Sequence, residues 1–206
     1  MKTSLLLTAT AIAGLVNASA SVFVTNLGNT STSSDTALAF AGSSQVKVAQ
    51  MFTVGVDDAT LTGVTLNIGT SIPGGTFHVD LFSDASGVPG TSLTTLSGST
   101  TPSGNSTYTP AGSVPLTNGS SYWVVAYNVS AGFSGYNVNE TSDLSASTLG
   151  GWALGGVSTF SGGSWAVPDT AKHALIQITA VPEPAETAGL IGLALAGFAL
   201  WRKRQD

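Results

Sequence analysis

The residues from Ser21 to Ala180 predict an all-β domain, an antiparallel β-sandwich of jelly-roll-like form. Three observations predict it. Short runs rich in β-branched and aromatic residues recur along the stretch, and several alternate polar with apolar positions as a half-buried strand must. Clusters of Gly, Pro, Asn, Asp and Ser separate these runs, in a chain of 206 residues that holds 25 glycines. No segment of the stretch keeps a helical period, and no repeat of fixed length is visible. A closed barrel would satisfy the same pattern.

The elements follow in order. Ser-Val-Phe-Val-Thr at 21–25 reads as a first strand, and the Ser/Thr/Asn-rich residues 26–35 as a loop. Residues 45–54 alternate, with Val46 and Val48 on one side and Lys47 on the other. A turn at 55–58 leads to 60–68, where Val64, Leu66 and Ile68 share a face opposite Thr65 and Asn67. Ile72-Pro73-Gly74-Gly75 is a turn. The next strand, 76–82, points Phe77, Val79 and Leu81 inward and His78 and Asp80 outward. Residues 84–90 form a loop, Leu93 and Leu96 belong to a short strand, 98–105 is polar and flexible, and Tyr108 opens a further strand. Asn118-Gly119 turns the chain into Tyr122-Trp123-Val124-Val125-Ala126-Tyr127-Asn128-Val129, whose few polar interruptions mark a central strand covered on both faces. Residues 150–154, 164–167 and 173–179 complete the set.

The two ends have a different character. Lys2, the apolar run 5–16 and Ala18-Ser19-Ala20 have the form of a secretory signal peptide over residues 1–20, cleaved after Ala20, with Ala18 and Ala20 as the small residues of the cleavage site. An uncleaved N-terminal anchor is the alternative. Residues 181–206 form the other segment. Residues 188–201 carry no charge and are apolar all the way round, so a helix there has no face for water and must be buried in protein or in lipid. Terminal position and the cations that follow favour lipid and a transmembrane helix over 186–201. Residues 185–201 rise roughly 25 Å as a helix, against a hydrocarbon core of roughly 30 Å. Trp201 at the headgroups and the basic tail Arg202, Lys203 and Arg204 make up the difference and stop the span on the cytoplasmic side. Pro182 and Pro184 mark the helix entrance, and Glu183 and Glu186 suit the positive end of its dipole. A buried helix of a soluble domain is the alternative.

Pro182-Glu183-Pro184, an apolar helix and a basic cluster at the chain end together resemble the PEP-CTERM sorting signal of Gram-negative bacteria. That resemblance implies recognition by an exosortase in the inner membrane, processing near Pro182, Glu183 and Pro184, and a setting at the cell surface or in an exopolysaccharide matrix. The body carries a second resemblance. Gln50-Met51-Phe52-Thr53-Val54, Leu61 with Val64 and Leu66, Val79 with Leu81-Phe82-Ser83-Asp84, Pro89-Gly90, Tyr122-Trp123-Val124-Val125, Gly151-Trp152 and Gly162-Gly163-Ser164-Trp165 resemble the R type of choice-of-anchor domain of bacterial surface proteins. No activity comes with that family.

Composition narrows the chemistry. The chain has no cysteine, which removes disulfides, thiolate zinc sites and a cysteine nucleophile. Between Ser21 and Val181 the cations are Lys47 and Lys172 alone, against eight carboxylates, so the body is acidic and unsuited to nucleic acid. His78 and Asp80 share a strand face, with Asp84 nearby, but further ligands would have to converge on them; Asp57-Asp58 lacks the spacing of a calcium loop, so no metal or other cofactor is expected. Of two histidines, His173 lies in an apolar strand, Gly-x-Ser-x-Gly is absent, and no paired carboxylates are legible; the body reads as non-enzymatic. Trp152 and Trp165, flanked by glycine, and Tyr136 are the candidates for contact with a sugar ring, although tryptophans in a small β domain mostly fill the core. The expectation is an exported, non-enzymatic surface or matrix protein that meets signal peptidase, an exosortase and the inner membrane, and exopolysaccharide as a further partner. A lectin-like module and a secreted hydrolase are the alternatives.

Overall fold

The computed structural model describes residues 19–39, 46–72 and 74–183. Within them the chain from Ser19 to Pro182 forms one compact unit. The signal-peptide run and Ala18, and the tail from Pro184 onward, with Trp201, Arg202, Lys203 and Arg204, lie outside the described residues.

Every regular element described is a strand. In chain order they are β1 (Ser21–Thr25), β2 (Ser33–Ala39), β3 (Lys47–Thr53), β4 (Ala59–Ile72), β5 (Thr76–Asp84), β6 (Pro89–Ser97), β7 (Gly104–Pro110), β8 (Pro115–Leu116), β9 (Ser121–Val129), β10 (Ser134–Thr141), β11 (Ser147–Thr148), β12 (Ala153–Ser161), β13 (Ser164–Trp165), β14 (His173–Ala174) and β15 (Ile176–Pro182). All pairings are antiparallel, and they run β11-β1-β15-β4-β7-β6-β5-β9-β3-β12-β13, with β10 joined to β2, β4 and β14. The strands thus make one continuous sheet, curled into a half-barrel. The turn of the curl lies between β6 and β7, which pair only through Leu96–Pro110 and Ser97–Thr109.

Alternation explains the curl. Val64, Leu66 and Ile68 of β4, Phe77, Val79 and Leu81 of β5, Tyr122, Val124 and Ala126 of β9, and Ile176 and Ile178 of β15 all point to the concave side and form one buried cluster. Burying each large side chain of this kind is worth about 1.5–3 kcal/mol, and only one register of each strand puts all of them inside. The central strand β9 lies between β5 and β3, and is buried on both faces. On the convex side of these three strands a smaller cluster of Ala49, Trp123 and Val125 is fully buried beneath Met51, Phe82, Tyr127 and Trp165.

Several expectations change. Residues 33–35 are strand rather than loop, because β2 pairs with β10 from Ser33 to Ala39. β7 starts at Gly104, and Tyr108 lies in its middle, fully buried with its hydroxyl donating to Ser99 O at 3.0 Å. β6 is longer than expected, running from Pro89, and Leu93 falls at a register shift and is exposed. Asp80 does not face solvent: it is 7% exposed and accepts from the Tyr127 hydroxyl. The two ends of the unit lie side by side, since Ser21 pairs with Ala180 and Pro182 with Ala59.

Candidate functional site

The registers across five strands set five side chains in one row on the convex face. His78 (β5) stands opposite Tyr127 (β9), Tyr127 opposite Lys47 (β3), Lys47 opposite Phe160 (β12), and Phe160 opposite Trp165 (β13). The imidazole of His78 stacks on Tyr127 with centroids 5.2 Å apart. Lys47 Nζ lies 4.9 Å from the Tyr127 centroid and 5.5 Å from that of Phe160. Phe160 meets Trp165 edge-on at 5.3 Å. All five are half-buried. Lys47 and His78 reach Tyr127 from the two strands that flank β9. Trp165 ends the row and keeps the free part of its indole.

Beneath the row lies the buried carboxylate. Tyr127 Oη donates to Asp80 Oδ2 at 3.3 Å, while Asp80 Oδ1 has no hydrogen-bond partner among the described residues. Burial, and then the charge of Asp80, push the Tyr127 phenol up from its ordinary value. Asp84 is engaged separately: it accepts from Trp123 Nε1 at 2.7 Å and from Gly87 N. A shallow depression beside it is lined by Ser83, Asp84, Ser120, Ser121 and Tyr122.

The other sugar-contact candidates go inside. Gly150 and Gly151, at φ 62° and 77°, turn the chain so that Trp152 enters the core instead of standing out from it. It is 3% exposed, 4.7 Å from Phe23 and 5.8 Å from Phe52, parallel to the latter within 3°. Tyr136 is also buried and meets Phe77 edge-on at 5.3 Å. Neither ring has a face to offer; only Trp165 of the three does.

His78, Asp80 and Asp84 do not converge, because stacking, the Tyr127 bond and the Trp123 bond hold them apart. Asp58 accepts from Asn118 N at 2.7 Å, and Asp57 is exposed beside it. Among the described residues no three His, Asp or Glu side chains gather as a metal would need. His173 is 7% exposed; its Nδ1 has no hydrogen-bond partner there, and burial lowers its pKa. Ala20 is exposed and immediately precedes β1; Pro182 is the last residue of β15 and Glu183 is exposed. Among the described residues no helix is long and apolar enough to cross a membrane.

A second cluster, unforeseen in the sequence, lies on β2, β10 and the turn before β14. Lys172 Nζ donates to Glu140 Oε2 at 2.7 Å and to Asp35 Oδ2 at 2.9 Å, and Ser33 Oγ donates to Glu140 Oε2 at 3.3 Å. The Glu140 side chain is 0% exposed, and its Oε1 has no partner among the described residues. Burial pushes Glu140 up to about 7, against the bond from Lys172, and the charge of Asp35 adds to the rise. Burial alone would lower Lys172, but the bonds and charges of Glu140 and Asp35 outweigh it and raise its pKa. Scarcity was the available signal: with only Lys47 and Lys172 as cations between Ser21 and Val181, each had to be placed with care. Lys47 went into the aromatic row and Lys172 to this cluster.

No protein-family model matches the sequence, and a search of curated proteins finds no match.

Proposed function

We propose that the chain is a non-enzymatic exported protein, sorted by its C-terminal segment and held at, or released from, the cell surface or an exopolysaccharide matrix. The observation that carries this reading is the order of residues at the end: Pro182-Glu183-Pro184, an uncharged run to Trp201, then Arg202-Lys203-Arg204. In its support, the last strand ends at Pro182, so the sheet stops where the sorting motif starts. On this reading residues 1–20 are a signal peptide, 186–201 a transmembrane helix and 202–204 its stop. Signal peptidase, an exosortase and the inner membrane are the partners. The body is a jelly-roll-like sandwich of the choice-of-anchor kind, its two layers being the halves of the curled sheet on either side of the β6–β7 corner. The test is deletion of everything after Pro184, followed by fractionation of the native host. Loss from the envelope supports the proposal; unchanged distribution refutes it.

A second reading, a carbohydrate-binding module, is favoured by one observation: Trp165 stands half-exposed at the end of the aromatic row, next to Phe160. An indole face of this kind packs against the apolar side of a pyranose. A glycan array probed with the wild type and Trp165→Ala decides it: signals lost in the variant support binding, and silence across the array rejects it.

A further inference from the structure

We propose that Asp35, Glu140 and Lys172 form a pH-sensitive latch that holds the segment entering β14 against β2 and β10, and that loosens as the medium turns alkaline. The geometry makes the latch a single unit. One ammonium bridges the carboxyl groups of Glu140 and Asp35 on neighbouring strands, at 2.7 and 2.9 Å, and lies just before β14. β14 itself is short. It pairs with β10 through Glu140–Ala174 and Thr141–His173, and the side-chain cluster fastens the residues just before it. Leu175 N then bonds to Asn139 O, Ala174 N to Gln50 Oε1, and β15, the last strand of the unit, follows.

The charge balance of the latch is asymmetric. Glu140 is enclosed, receives Lys172 and Ser33 on one oxygen, and has no partner among the described residues for the other. An ionised carboxylate in that position loses its hydration without full replacement. From β2 it faces Asp35 and Ser33, and from the turn Lys172; His173 adjoins on β14, and Asp169, earlier in the turn, is occupied by Ala171 N. The folded carboxyl keeps its proton up to about 7, from an ordinary value of 4.5. The closed latch therefore binds more protons than the open one. Its stability is fully present below the ordinary value and is lost as pH rises through about 7. His173 has the opposite sign. Its pKa is lowered from 6.5, so its contribution is present above 6.5 and is lost as pH falls. Lys172, raised from 10.5, loses its contribution only at much higher pH, so the loosening around neutrality belongs to Glu140.

Hydrogen exchange on the full chain, wild type against Glu140→Gln, tests this, because the His173 contribution is common to both. With the midpoints above, the wild-type-to-variant ratio of protection at the amides of residues 33–37 and 171–176 is expected to fall about tenfold between about pH 6 and about pH 8. Amides of β9 should show no such change. A ratio constant across that range, or one that falls equally in β9, overturns the latch. If Glu140→Gln fails to fold, carbon-detected NMR titration of the Glu140 carboxyl in the wild type decides the matter. A midpoint near neutrality, with matching shifts at Lys172 Nζ, supports the latch, and an ordinary acidic midpoint overturns it.

Discussion

Trp123 Nε1 donates to Asp84 Oδ1 across 2.7 Å, tying the buried centre of β9 to the last residue of β5. The indole is 0% exposed, so Asp84 is the group that satisfies its N–H. Asp84→Ala and Trp123→Phe should each lower stability, the first by about 1.5–3 kcal/mol, as for a hydrogen bond to a charged group. The double variant should cost less than the sum, since both remove the same bond. Urea unfolding of all four proteins measures this coupling.

The two glycine-flanked tryptophans should separate in the same assay. Trp152→Ala empties a core position between Phe23 and Phe52 and is expected to cost about 3–5 kcal/mol. Trp165→Ala removes a half-buried ring from the end of the convex row and should cost far less.

Gln50 is a polar strut within the core. Its Oε1 accepts from Ala174 N at 2.6 Å, and its Nε2 donates to Gly155 O at 2.7 Å, linking β3 to β12 and β14. Gln50→Leu keeps the volume and strands both backbone groups. A loss of roughly 2–6 kcal/mol is expected, at about 1–3 kcal/mol for each unsatisfied group. Unfolding curves with unchanged slope and a lowered midpoint would show it.

His173→Leu should change the acid limb of stability. Burial lowers the folded pKa of His173, so the wild type loses stability as pH falls below 6.5 and the leucine variant lacks that loss. The variant should gain on the wild type as pH drops. Thermal melting at several pH values reads the gap.

Gly55 sits where a Cβ would lie 1.7 Å from Gly150 O, a backbone atom that cannot rotate away. Gly55→Ala should destabilise by about 1–3 kcal/mol, as overpacking does. Gly28→Ala, with nothing among the described residues within 4 Å, serves as the control. Comparing their urea midpoints isolates the close approach.

What the sequence disclosed follows the alternation of its residues. β1, β3, β4, β5 and β9 were legible because apolar side chains recur at every second position, or, in β9, almost continuously. β2 and β10 were not. Ser-Ser-Asp-Thr-Ala-Leu-Ala and Ser-Gly-Tyr-Asn-Val-Asn-Glu-Thr place few large apolar residues inside, and in Asp35 and Glu140 they carry the acids of the latch. Composition alone makes such segments look like loops. The row on the convex face escaped notice for another reason. Lys47, Tyr127 and Phe160 are far apart in sequence, and only the registers of β9, β3 and β12 bring them together. Glycine neighbours likewise could not separate Trp152 from Trp165: in one case they fold the ring inward, in the other they form the turn at Gly162-Gly163 before a two-residue edge strand.

The sorting claim meets its most direct test in the intact mass of the protein recovered from its native host, with and without an active exosortase. The account predicts a product that begins at Ser21 in both cases, and that ends near Pro182, Glu183 and Pro184 only when the exosortase is present. A product that retains Met1, or whose C-terminal mass is the same in both hosts, contradicts it.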